Sequence, residues 1–388
     1  MPSGASWPEQ MRTLALGVAW SAIAAALASL WGLGVLRWLP QLDTFPRIAM
    51  LIASSSLVLP HSYLVLLAAS LPLCFSQWRR PSRILSALIV ASMLWQWGRS
   101  WVAWPAGPIR GDPTQSIQVA TWNVARLGEF CGRSDCSVEE ATAMACVGDV
   151  LAQHRPDMLA LQEISLQRLR AFEETLGWHC RLPDGQVAWI DYAGNNVEYH
   201  GGVAVCVPQD GDWTLRSLQH PSLPPSWHYI FSEVHSSETG ELLNFLSVHF
   251  KPPRLSEAHA WRVLSDGLEG LRRLGHALAE TNVEQAAQAS QLLSSAARFQ
   301  DPTILAGDFN STRDTTIHHG LRTQFTDSWE HGGWGYGASR VFAGIPLRID
   351  YIYASTPHFS VKRSRRSSTG CSDHRAVFST IRLSAPPD

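Results

Sequence analysis

Ile304-Leu-Ala-Gly-Asp308-Phe-Asn310 is the stretch on which the reading of this chain turns. Its small and apolar residues have the character of a buried strand, and at its end a carboxylate and an amide, two positions apart, emerge on the same side. The pattern recurs along the sequence. Ala120-Thr-Trp-Asn123 ends in an amide, Asp157-Met-Leu-Ala-Leu-Gln-Glu163 in a carboxylate and Leu246-Ser-Val-His249 in an imidazole. Arg348-Ile-Asp350-Tyr-Ile-Tyr353 opens with a carboxylate, and Ser372-Asp373-His374 follows downstream. Polar groups at strand ends can converge in loops while the strands hold them rigid.

Together these segments supply the carboxylates Glu163, Asp308, Asp350 and Asp373, the amides Asn123 and Asn310, and the imidazoles His249 and His374, with no Ser or Cys nucleophile among them. Hard oxygen ligands with few nitrogens suit Mg²⁺ or Mn²⁺, ions that keep several waters and accept phosphate oxygens. A carboxylate or histidine beside such an ion can take a proton from attacking water. The side-chain set fits direct hydrolysis of a phosphate ester. Each element alone has a plainer reading: Trp122-Asn123 as packing plus a turn, Asp350 as a loop cap, Asp373 as an N-cap or solvated turn acid, His249 as a satisfied core imidazole. The joint order of the six segments reverses those odds.

The ordered set Trp-Asn, Gln-Glu, strand-end His, Gly-Asp-Phe-Asn, Ile-Asp-Tyr and Ser-Asp-His resembles the endonuclease/exonuclease/phosphatase superfamily, over roughly residues 117 to 383. That superfamily includes pancreatic-type deoxyribonuclease, abasic-site endonucleases, bacterial sphingomyelinases and inositol polyphosphate 5-phosphatases. The resemblance implies a four-layer α/β sandwich, two mixed sheets with helices outside. By position it implies Glu163 as principal metal ligand, with Asn123 beside it and Asp373 near the same ion. It implies that Asp308 orients or deprotonates water, that Asn310 holds the water or the phosphate, and that His374 contacts the scissile phosphate, steered by Asp350. His249 matches a histidine that stabilises charge or protonates the leaving oxygen, and members differ in which histidine is acid and which base.

Strand-like runs lie at Ile117 to Trp122, Met158 to Gln162, Gly202 to Val207, Tyr229 to Val234, Leu242 to His249, Thr303 to Ala306, Arg348 to Ala354 and Ala376 to Ile381. Ser137 to His154 has a capping serine and Met144, Val147, Val150 and Leu151 at helical spacing, and Pro156 ends it. Ser256 to Arg298 reads as two helices broken near Thr281-Asn282. His200 and Glu198 are assigned to structure.

Ahead of this domain the chain changes character. Before Gly111 there are eight Arg and two acids, whereas the remainder holds 23 basic and 31 acidic residues. Thr13 to Leu36 runs 24 residues without a charge, Ile48 to Gln77 runs 30 with only His61 ionisable, and Ile84 to Gly98 is followed by an aromatic belt of Trp95, Trp97, Trp101 and Trp104. The expected organisation is a membrane anchor over 1–104, with about three transmembrane helices at 13–36, 48–77 and 84–104. A Pro/Gly-rich linker at 105–116 and the catalytic domain at 117–388 follow. Pro60 and Pro72 leave a re-entrant hairpin open for the middle segment. The cluster Arg79, Arg80 and Arg83 favours a cytoplasmic loop and an extracytoplasmic domain, although a bare count of Arg divides evenly between the two sides.

The spacing of Cys131 and Cys136 suits a small disulfide, with zinc as the rival reading, and Cys206 reads as a core residue. The expected partners are the lipid bilayer and a phosphate-ester substrate, either nucleic acid or a phospholipid or inositol phosphate; no protein partner is expected. The acidic balance argues against a broad nucleic-acid track. Lys362-Arg-Ser-Arg-Arg366 either faces an anionic substrate or is a solvated hairpin, and His331-Gly-Gly-Trp-Gly-Tyr-Gly337 either touches a ligand or is a surface loop. A silent binding scaffold is the competing class.

Overall fold

A computed structural model describes residues 15–16, 18–20, 22–29, 62–63, 65–70, 80, 83–92, 116–128, 140–183, 187–190, 196–199, 201–216, 229–253, 266–296, 301–313, 315–342, 344–368 and 371–383. The chain divides into two units, Met1–Arg99 and Ser100–Asp388. In the first, the described pieces are helical, with Tyr63, Leu85 and Ile89 buried and the Ser70 and Ser86 hydroxyls 2.8 Å apart. Among the described residues no helix is long and apolar enough to cross a membrane. Much of the three expected spans lies outside the described residues, as do Cys131, Cys136 and His200.

The second unit contains, in chain order, β1 (Ser116–Asn123), α1 (Glu140–His154), β2 (Met158–Ser165), α2 (Leu166–Leu176), β3 (Trp178–Arg181), β4 (Val187–Ile190), β5 (Asn196–Tyr199), β6 (Gly201–Pro208), β7 (Trp213–Leu215), β8 (Tyr229–Ser236) and β9 (Leu242–His249). It continues with α3 (Gly267–Ala296), β10 (Thr303–Asp308), α4 (Thr316–Leu321), β11 (Phe325–Asp327), α5 (Ser328–Gly332), β12 (Arg340–Phe342), β13 (Ile345–Leu347), β14 (Asp350–Ser355), β15 (Phe359–Arg366) and β16 (Val377–Leu383).

Two six-stranded mixed sheets form, in the orders β15-β16-β1-β2-β6-β3 and β11-β14-β10-β9-β8-β7. Each has one parallel pair near its centre, β1 with β2 and β9 with β10, among antiparallel neighbours. Alternation along the strands builds the layers. Ile117, Val119, Met158 and Ala160 of the first sheet meet Phe245, Ile304, Ala306 and Ile352 of the second in one buried cluster. The opposite faces carry helices. Ala120, Trp122, Leu159 and Leu161 pack with Met144, Val147 and Leu151 of α1 and Phe172 of α2, while Leu246, Leu305 and Tyr353 pack with Leu292 of α3 and Leu321 of α4. The result is two mixed sheets flanked by helices, as the motif order implied.

Local chemistry accounts for several boundaries. The Ser165 hydroxyl caps the N-terminus of α2 by accepting from Arg168 N–H, and Gly177 ends that helix at φ 68°, where a left-handed residue is needed. The expected break at Thr281-Asn282 does not occur. The Thr281 hydroxyl donates to the Ala277 carbonyl one turn back, and α3 continues as one helix. Gly307 is required by close approach: a Cβ there would collide with the Val248 carbonyl of the neighbouring strand.

The cysteines depart from the sequence expectation. Cys206 is buried as expected, but it is also bonded to Cys180, its cross-strand partner in the β3–β6 pair. Cys146 of α1 is bonded to Cys371, three residues before His374. Partnership between residues 225 apart in sequence follows from the fold and leaves no local spacing signal.

Candidate active site

Register places the functional groups side by side. On the second sheet His249 stands opposite Asp308 in the parallel β9–β10 pair, and Asp308 opposite Asp350 in the antiparallel β10–β14 pair. On the first sheet Asn123 ends β1, and Glu163 occupies a bulge in β2, where the pairing with β6 shifts between Gln162 and Ile164. Glu163 sits at φ 55° and Asn310 at φ 47°. Left-handed backbone at such residues costs about 1–3 kcal/mol, and this strain concentrates where side chains must be aimed.

Asn123 ties the sheets together: its Nδ2 donates to Glu163 Oε1 and to Asp308 Oδ2, both at 3.0 Å. Its Oδ1 accepts from Ala125 N–H at 3.0 Å, which fixes the amide orientation. His249 Nε2 lies 3.8 Å from both Glu163 Oε1 and Asp308 Oδ2. Asp308 Oδ1 accepts from Asn310 N–H (2.8 Å), and the Asn310 side chain donates to Phe250 O (2.9 Å). His374 Nδ1 is 2.9 Å from Asp350 Oδ2, and its Nε2 points to Asp308 Oδ2 at 3.8 Å. Six of the eight residues named from the sequence thus meet in one cluster, and Asn310 joins through its backbone. Asp373 differs. Its carboxylate contacts Arg340 Nη2 (2.8 Å) and the Ser372 hydroxyl (3.3 Å).

Other contacts hold the frame. Beside this cluster, Gln162 Nε2 donates to Ser247 Oγ (3.0 Å) and Ser247 Oγ donates to Leu161 O (3.1 Å), bridging the sheets. The Ser372 hydroxyl donates to Asn123 O (2.8 Å), and the Trp122 indole donates to His374 O (3.2 Å). Ser339 Oγ accepts from the N–H groups of Ile349 and Asp350 at 3.2 and 3.1 Å. Nη2 of buried Arg348 donates to the carboxylate of buried Asp327, and the guanidinium lies over the Tyr351 ring, 4.5 Å from its centroid. These contacts pin the start of β14 and so Asp350. Gln162, Trp122 and Ser247 lie within the quoted motifs; Arg340 and Ser339 carried no such signal.

Electrostatics divides the two histidines. Burial, helped by the nearby His374 charge, pushes His249 down to about 3, so it is neutral. Burial also opposes charge on His374, but the Asp350 and Asp308 carboxylates and the hydrogen bond to Asp350 prevail and raise it to about 9. Asp308 is pushed up to about 7 by burial and then by the Asp350 charge.

Acceptor atoms of Asp308, Asp350 and His374 all lie within 4.8 Å of one another, a grouping able to hold a cation. Asp350 Oδ1 is buried without a hydrogen-bond partner among the described residues. An under-satisfied acceptor in a crowd of carboxylates, with Asp308 driven toward its protonated form, fits a divalent cation.

The basic run lies on β15, an edge strand, with Lys362, Arg363 and Arg366 exposed, a common way to protect a sheet edge. Trp334 is 84% exposed in the loop after α5.

Two packed mixed sheets with carboxylates, amides and imidazoles meeting at their strand ends define a phosphoesterase-like α/β fold. The chain belongs to the Endonuclease/Exonuclease/phosphatase family, whose model matches residues 120–374. No curated protein matches it. Among solved structures it is similar to the human Nocturnin catalytic domain with bound sulfate, at 17% identity and TM-score 0.48, covering 69% of this chain and 94% of that one. It is also similar to D. rerio TDP2 complexed with a single-strand DNA product, at 14% identity and TM-score 0.49, covering 69% and 99%. A third is the mannosyl-6-phosphatase Bt3783 of Bacteroides thetaiotaomicron, at 19% identity and TM-score 0.47, covering 68% and 99%.

Proposed function

We propose that this chain is a divalent-metal-dependent phosphoester hydrolase of the phosphodiesterase type. The observation that carries the reading is the Asn123 amide bridging Glu163 and Asp308, with a neutral His249 and a cationic His374 on either side of Asp308. Glu163, about a quarter exposed, would hold Mg²⁺ or Mn²⁺; Asn123, whose Nδ2 rather than Oδ1 faces Glu163, would position that carboxylate and not ligate the ion as the sequence suggested. A bound ion would draw charge from the phosphoryl group.

The chain's own residues do the rest. Asp308 takes a proton from attacking water, a role suited to a carboxyl held near neutral pH and kept in place by Asn123 and Asn310 N–H. His374, protonated and fixed through Nδ1 by Asp350, presents Nε2–H to a non-bridging oxygen or the leaving oxygen. His249 stays neutral and positions Glu163 and Asp308; its suppressed basicity speaks against a leaving-group acid. Asn310 serves through its backbone N–H on Asp308, its side-chain amide being held by Phe250 O. The alternative position for the ion is the Asp308–Asp350–His374 group, favoured by the unpartnered Asp350 Oδ1. Mn²⁺ binding by Glu163→Ala and Asp350→Asn chains decides: loss in the first alone supports the assignment to Glu163.

The apolar runs at 13–36, 48–77 and 84–104 support an anchor in a bacterial inner or plasma membrane with the catalytic unit outside the cytoplasm. Anchoring would hold the site near lipid head groups, so phospholipid and inositol phosphates stand beside nucleic acid as substrates. Alkaline phosphatase fused after residue 388 should be active, and a silent fusion would contradict the orientation. Hydrolysis of plasmid, oligonucleotide, sphingomyelin and inositol phosphates by the full chain with Mg²⁺ or Mn²⁺ tests the reading; inactivity on all four would refute it.

A further inference from the structure

Arg340 occupies an unusual place for a residue outside the motifs. Its backbone bridges to His374 across a single antiparallel pair, reinforced by Arg375 N–H donating to Ser339 O at 2.7 Å. Its guanidinium and the His374 imidazole therefore come from paired positions. The guanidinium holds Asp373 Oδ2 at 2.8 Å, while the Ser372 hydroxyl, 3.3 Å from Oδ1, has its proton on Asn123 O at 2.8 Å. The carboxylate is thus paired with a fixed cation at a position where an ion was expected. Arg340 and Asp373 side chains remain 23% and 40% exposed, so both reach solvent beside the buried group. The Arg340 charge is also felt by His249 on the far side of Asp308. Arg340 belongs to β12, whose partner is β13 in a separate two-stranded sheet, so its side chain can swing without disturbing either large sheet.

We propose that Arg340 and a divalent ion compete for the Asp373 carboxylate, and that the arginine so released binds a non-bridging oxygen of the substrate's phosphate. This rests on the phosphoester-hydrolase reading. A divalent cation drawn in by Glu163, Asp308 and Asp350 offers Asp373 twice the charge that Arg340 does. A freed guanidinium presents a planar fork matched to two phosphate oxygens, beside the imidazole that meets the same group. The exchange makes ion and phosphate binding cooperative, because the first event supplies the donor for the second.

The test uses the full chain and its Arg340→Ala, Arg340→Lys, Asp373→Asn and Arg340→Ala/Asp373→Asn forms. Mn²⁺ affinity is read by electron paramagnetic resonance of the free ion, and inorganic phosphate affinity by calorimetry at saturating Mn²⁺. Arg340→Ala should bind Mn²⁺ about tenfold tighter and phosphate at least about tenfold weaker, the scale of one charge-assisted contact. The gain for Mn²⁺ should vanish in the double variant, since it depends on Asp373. Arg340→Lys keeps the charge but loses the fork, and should weaken phosphate severalfold with little change in Mn²⁺; it serves if the alanine form does not fold. Unchanged phosphate affinity, or a Mn²⁺ gain that persists without Asp373, overturns the inference. Turnover separates it from the reading beneath it. An active wild type with both affinities unaltered in Arg340→Ala overturns the inference and leaves the hydrolase standing. The opposite shifts in a wild type without turnover support the exchange and overturn the hydrolase.

Discussion

Replacing Asp350 by Asn removes one charge and keeps the shape of the side chain. Asp350 Oδ2 lies 2.9 Å from His374 Nδ1, and both groups are buried. A unit charge pair near 4 Å is worth about 4 kcal/mol at an effective dielectric constant of about 20, roughly three pH units at 1.36 kcal/mol each. Without Asp350, burial works against the imidazolium with only Asp308 to counter it. His374, held at about 9, should then titrate about two to three units lower. In the proposed mechanism protonated His374 is the working form, so the alkaline limb of kcat/KM should move from near pH 9 in the wild type down by the same interval. Asp308, raised to about 7 partly by Asp350, should lose part of that elevation, so the acidic limb moves down as well. Turnover at neutral pH should fall by about two- to tenfold, the share of protonated imidazole lost at pH 7 when the group titrates at about 6 to 7 instead of about 9. The assay is kcat/KM for bis-p-nitrophenyl phosphate from pH 5 to 10, with the His374 imidazole followed by nuclear magnetic resonance. An alkaline limb that stays in place, or a His374 imidazole that still titrates near 9, would refute the reasoning.

Three further outcomes are expected. Arg348→Met strands Asp327 in the interior with Arg322 3.8 Å away, and should cost about 3–5 kcal/mol in denaturant unfolding, partly recovered by adding Asp327→Asn. The same pair holds Asp327 below its ordinary range despite burial, so its stabilisation is present at neutral pH and is lost as acid protonates the carboxylate; Arg348→Met should flatten that acid limb. Cys371→Ser opens the link between α1 and the His374 turn and should lower unfolding stability by about 2–5 kcal/mol, with a larger fall in kcat than rise in KM, whereas unchanged melting would dismiss the link. Raising Mg²⁺ should shift the acidic limb of kcat/KM to lower pH, because a nearby cation favours ionised Asp308.

Much of the site was readable because its residues end strands that are apolar in continuous runs. Thr303 to Asp308 and Met158 to Gln162 are buried along their length, and that pattern is visible without knowing the partner. What pairing adds was not readable: Asp350 stands opposite Asp308 through antiparallel register, which motif order alone does not give. Strands of three or four residues such as β7, β11 and β13 are too short to show a period, and they emerge from tertiary packing. Thr281-Asn282 looked like a break because both residues favour caps and turns, yet the back-bonded Thr281 hydroxyl and burial of both side chains kept α3 whole. Arg340 and Cys371 act through neighbours distant in sequence, so a one-dimensional reading had no purchase on them.

The central claim is that one site, built by Glu163, Asp308 and His374 from both sheets, cleaves phosphate esters with a divalent ion. Its most direct measurement is turnover of bis-p-nitrophenyl phosphate by full-length protein stripped with chelator, then titrated with Mg²⁺ or Mn²⁺, alongside Glu163→Ala, Asp308→Ala and His374→Ala. The expected result is activity that returns with the ion in the wild type and stays at least about a hundredfold lower in all three variants, whose melting shows them folded. Ion-independent turnover, or variants within a few-fold of wild type, would contradict the account.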